Sequence, residues 1–95
     1  MTIKKLQYMP YAQAHVEQYD NGDRFLVSYC TTVVSIDKDG WLECYGTYSR
    51  TTIRHISAFM REYGHGRDYY TAKSAYLHDY AINIYTGETK EKDWP

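Results

Sequence analysis

The apolar residues of this chain change their spacing at Ser49, and that change rules out most folds open to 95 residues. Before Ser49 they recur at every second position, the repeat of a strand whose side chains alternate between two faces. After it, Ile53, Ile56, Met60 and Tyr63 recur at three or four, with Phe59 beside them, which makes one stripe along an α-helix. A strand-patterned half followed by a helix predicts an α+β domain. Its sheet is an antiparallel meander of three to five strands, with one main amphipathic helix packed on one face and a second, short helix after it.

The meander is readable from its turns. Asp20-Asn21-Gly22-Asp23 separates two extended runs, Ala14 to Tyr19 and Arg24 to Ile36, and Asn-Gly is a strong hairpin signal. In the second run Phe25, Val27 and Tyr29 alternate with Leu26, Ser28 and Cys30, and a run this long is expected to bend or bulge near Thr31. Asp37-Lys38-Asp39-Gly40 turns the chain into a third strand, Trp41 to Tyr48. Gly46 within that strand predicts a close backbone approach, most simply by a helix lying over the sheet. Ser49 stands as an N-cap for a helix from Arg50 to Tyr63, and Gly64 sits where a left-handed C-terminal cap is wanted. Asp68 can cap a short helix ending near His78, after which Tyr80, Ile82 and Ile84 alternate as a last strand. The expectation is one domain with its core between about residues 12 and 87. Residues 1–11 form an edge strand or arm, residues 88–95 a charged tail, and Trp94 is the tail residue able to dock.

Charge and composition narrow the function. The net charge is −1, so a global attraction to nucleic acid or to anionic membranes is not expected and any anion site must be local. No apolar run reaches the ~18 residues a membrane span needs. The start Met1-Thr2-Ile3-Lys4-Lys5 does not lead into an apolar signal core, which predicts a cytoplasmic protein without membrane contact. Twelve Tyr against two Phe favour surfaces that are dry on one side and wet on the other, such as half-buried sheets and recognition faces. Cys30 and Cys44 lie in apparent strands without CxxC spacing. Reduced thiols are the expected state, and a cross-strand disulfide is the alternative.

None of His15, His55, His65 and His78 sits in an HExxH, a Cys/His set or a nucleophile motif. Asp37 to Gly40 lacks the later ligands of a calcium loop and reads as a turn. Neither a catalytic residue, nor a metal, nor a cofactor is expected. The remaining constellation joins the end of a strand to the start of the helix. Here the hydroxyls of Ser49, Thr51 and Thr52, the Arg50 guanidinium and the first-turn N–H groups could hold a phosphate or carboxylate, with Tyr48 beside them. Arg54 and Arg61 fall within about 40° of Arg50 around the helix and extend it into a cationic stripe. Ordinary capping with solvated arginines is the commoner role of such a segment.

Residues Thr31-Thr32-Val33-Val34-Ser35-Ile36-Asp37-Lys38-Asp39-Gly40, and the block Tyr48-Ser49-Arg50-Thr51-Thr52 leading into Ile53-Arg54-His55-Ile56, resemble small uncharacterised proteins encoded by bacteriophages and mobile elements of Gram-positive bacteria. That resemblance implies an accessory protein of the host-cell cytoplasm, in the manner of anti-defence (anti-CRISPR-like) proteins. Its partner would be a host protein or ribonucleoprotein. The competing expectations are a nucleic-acid-binding regulator that uses the Arg50, Arg54 and Arg61 face, and a structural or assembly module, for instance a homodimer through an exposed strand edge.

Overall fold

The computed structural model describes residues 1–46 and 48–92, so Thr47 and the expected docking of Trp94 lie outside the described residues. Seven strands form one antiparallel sheet in chain order: β1 (Thr2–Lys5), β2 (Ala14–Gln18), β3 (Arg24–Ser28), β4 (Thr31–Ile36), β5 (Trp41–Cys44), β6 (Tyr80–Asn83) and β7 (Thr89–Glu91). Between β5 and β6 the chain makes two helices, α1 (Arg50–Tyr63) and α2 (Tyr69–Leu77). The α+β class stands, and the strand count corrects the expected three to five.

The undercount has a local cause. The run Arg24 to Ile36 is not one bent strand; it folds back at Tyr29-Cys30 into the hairpin β3–β4, with Tyr29 in the left-handed region at φ 58°. Tight hairpin turns need such a residue and usually take Gly or Asn, so nothing in the sequence announced this one. The expected bulge does occur, but within the hairpin. Leu26 faces Val34 and Val27 faces Thr32, which leaves Val33 as the extra residue. At the announced turn, by contrast, Gly22 N–H donates to Tyr19 O and Gly22 takes φ 99°. Asp37 to Gly40 repeats the pattern, and the two turns are tied together where Lys38 N–H donates to Asp23 Oδ1.

Both helices cover the same face of the sheet. Val16, Leu26, Val34, Ile36, Leu42 and Cys44 from the strands meet Ile56, Phe59, Met60 and Ala72 from the helices in one core. Each large apolar side chain buried there contributes roughly 1.5–3 kcal/mol. Leu26, and not Val27, is the β3 residue that packs in this core, since the two point to opposite faces. Among the expected helix anchors Ile56 and Met60 are fully buried, whereas Ile53 remains half-exposed. The core also reaches outside residues 12–87, because Leu6 is fully buried and β7 pairs with β6.

Two glycines differ from expectation. The Gly46 approach comes from the Tyr48 ring, whose hydroxyl lies 3.1 Å from where a Cβ would stand, and not from a helix. Gly64 ends α1 at φ −78°, outside the left-handed region, and is required for space, because a Cβ would run into Met60 O and Arg67 O. The left-handed residues are the next two, His65 at 52° and Gly66 at 87°. They swing the chain back into α2, which Asp68 caps by accepting from the N–H groups of Tyr70 and Thr71.

Candidate functional site: a cationic groove between the helices

A groove of about 780 Å³ runs between α1 and α2. Positions i, i+3, i+7 and i+10 of one helix share a face, so α1 contributes Arg50, Ile53, Ser57 and Met60, with Arg61 beside them. The α1–α2 link and the N-terminal part of α2 supply Gly66, Arg67, Asp68, Tyr69, Tyr70 and Lys73. Its lining is thus apolar and aromatic along the middle and cationic at the rim.

The charges differ in how far they are already engaged. Arg67 donates from Nε to Ile84 O and so holds the turn just after β6. The Arg61 guanidinium stacks on the Tyr8 ring at 4.1 Å, and the same N-terminal segment is anchored by Gln7 N–H donating to Glu62 Oε1. Arg50 and Lys73 are exposed, and among the described residues neither makes a salt bridge, hydrogen bond or ring contact. Among the described residues Asp68 is the one carboxylate in the lining, and its Oδ1 serves as the α2 cap. Four cations against one committed carboxylate make this a local positive field on a chain whose net charge is −1. Tyr70 is 71% exposed and stands edge-on to Tyr69 at 5.7 Å, leaving a bare ring at the mouth.

The residues expected from the sequence separate accordingly. Arg50 and Arg61 line the groove, while Arg54 is exposed on the same helix but outside it. Ser49 is the N-cap, its Oγ accepting from Thr52 N–H at 3.4 Å, Thr51 is exposed in the first turn without lining the groove, and the Thr52 hydroxyl, expected to face a ligand, is buried against Ser28. Tyr48 is half-buried against the core. Burial, then the nearby Cys44, Tyr76 and Tyr45, push its hydroxyl up to about 12. It packs as an internal residue and does not stand beside the arginines as an aromatic anchor. The strand–helix junction therefore caps α1, and the groove lies further along it. Sequence reading missed Arg67, Tyr69, Tyr70 and Lys73. The available signal was the Tyr69-Tyr70 pair three residues before Lys73, which puts a ring and a cation on one α2 face.

A second polar feature lies beneath α1. Ser28 Oγ shares hydrogen bonds with Thr52 Oγ1 at 3.1 Å and His55 Nδ1 at 2.8 Å, and all three residues are buried. Burial lowers the His55 imidazole below its ordinary 6.5. Ser28 is 2% exposed, so the set joins the helix to β3 out of reach of a substrate. Among the described residues no three His, Cys, Asp or Glu side chains converge as a metal site, and no helix is long and apolar enough to cross a membrane.

Residues 2–77 match the model of a family of unknown function, DUF8033, and the chain belongs to that family. No curated protein and no solved structure matches it.

Proposed function

We propose that this DUF8033 member is a non-enzymatic binding module that occludes a macromolecule of a host cell, and that the α1–α2 groove is the surface it uses. The observation that carries this reading is the groove itself. Two uncommitted cations, Arg50 and Lys73, flank apolar and tyrosine surface in a cavity of ligand-binding size. Interface hot spots concentrate in Arg and Tyr, and both are gathered here. A protein partner is favoured over nucleic acid because the chain's net charge is −1, whereas a nucleic-acid chain is held best by a strongly basic surface. The resemblance to proteins of phages and mobile elements suggests a host defence effector met in the cytoplasm as the class of target.

Capture from a lysate of Gram-positive cells, with and without nuclease, compares the wild type with Arg50→Ala/Lys73→Ala. Both side chains are exposed, so their loss changes folding little. The expected result is a nuclease-resistant partner lost by the double variant. Equal capture by the variant would place the binding surface elsewhere, and nuclease-sensitive capture would make nucleic acid the ligand.

A further inference from the structure

We infer that the occupant of the groove is an acidic amphipathic α-helix of a partner protein; this rests on the groove being the binding surface. Backbone chemistry decides the form of the ligand. The helical groove walls come from α1 and the N-terminal part of α2, whose N–H groups beyond the first turn are spent on internal bonds, while the Ser49 and Asp68 caps take those of Thr52, Tyr70 and Thr71. An extended peptide would press its own N–H and C=O groups against Ile53 and the tyrosine rings, where no strand edge stands to pair them, whereas a helix satisfies its backbone internally. Extended ligands suit the open edges of β1 and β7, at the two ends of the sheet.

Length and charge then specify the helix. From Arg50 to Arg61 the α1 wall rises roughly 16 Å, at about 1.5 Å per residue. Two turns of a partner helix, with apolar residues at i, i+4 and i+7, fit between those ends. Carboxylates about eleven residues apart on that helix would reach both cationic ends. The exposed Tyr70 ring and Lys73 stand on the opposite wall to receive an apolar side chain and a further carboxylate. Among the described residues the one carboxylate in the lining, Asp68, is held by the α2 cap. Ser57, the small exposed residue between Ile53 and Met60 in the α1 wall, leaves room for the approach.

Fluorescence anisotropy with four labelled probes tests this: a helical peptide of that design, the same peptide with a central proline, its Glu→Lys counterpart, and oligo-dT. Each is titrated with the wild type, with Arg50→Ala/Lys73→Ala, and with Ser57→Trp, which fills the groove but keeps every charge. The helical acidic peptide is expected to bind at least about tenfold more tightly than the other three, and to weaken by about tenfold or more with either variant. If the proline peptide or oligo-dT binds as well as the helix and both variants still weaken binding, the helical ligand is overturned while the groove stands as the surface. If neither variant changes the binding of any probe, the groove itself is overturned.

Discussion

His55 shows how a single residue reports on the packing of α1 against the sheet. Its imidazole is 2% exposed and bonded to Ser28, and burial lowers its affinity for a proton in the folded state relative to the ordinary 6.5. As the pH falls the unfolded chain takes up that proton first. The His55 contribution to stability is therefore complete above 6.5 and is lost progressively below it, down to the lowered folded-state value. Urea denaturation of the wild type and of His55→Asn over this range should give a wild-type stability that falls on acidification and a variant in which that part of the fall is missing. Parallel pH profiles would show that His55 is not titrating out of a buried neutral state. Nothing in the sequence marked this histidine as internal. It stands next to Ile56 on the buried face of α1, but its partner Ser28, which also bonds Thr52, is brought to it only by the crossing of α1 over β3.

Elements were legible where local chemistry forces them, and illegible where tertiary packing does. The period change at Ser49 and the Asp68 cap located α1 and α2 to within a residue or two, because helix ends are settled by side chains a few positions away. The Tyr29-Cys30 turn could not be read, since a left-handed tyrosine is held there by the sheet on both sides, where Tyr29 N–H donates to Gln13 O, and not by its own preference. Cys30 is consequently exposed near a hairpin tip and Cys44 buried, both as free thiols. At Gly64 the sequence pointed to the right residue for the wrong reason. Space, not handedness, requires glycine, so Gly64→Ala should lower stability by about 1–3 kcal/mol, as overpacking does. Thermal unfolding would check it, and an unchanged melting temperature would mean that Met60 and Arg67 can shift aside freely.

At the scale of the whole molecule, one sheet carries both helices on a single face, and the groove exists because α1 and α2 are inserted between neighbouring strands β5 and β6. A cationic stripe on α1 was visible in the sequence, but half of the groove lies on the α1–α2 link and α2. No pattern within one helix reveals which side chains a second helix will bring opposite it. Arg54, two positions from Thr52, belongs to the stripe and not to the groove, and Tyr48 turned inward over Gly46. Charge is similarly local, four cations at the groove on a chain of net charge −1. The most direct measurement is a backbone amide correlation spectrum recorded while the acidic helical peptide is added. The groove account predicts saturable shifts at Ile53, Ser57, Gly66, Tyr70 and Lys73, with β1 and β7 unmoved. Shifts confined to the β1 or β7 edge, with those five amides unchanged, would contradict it.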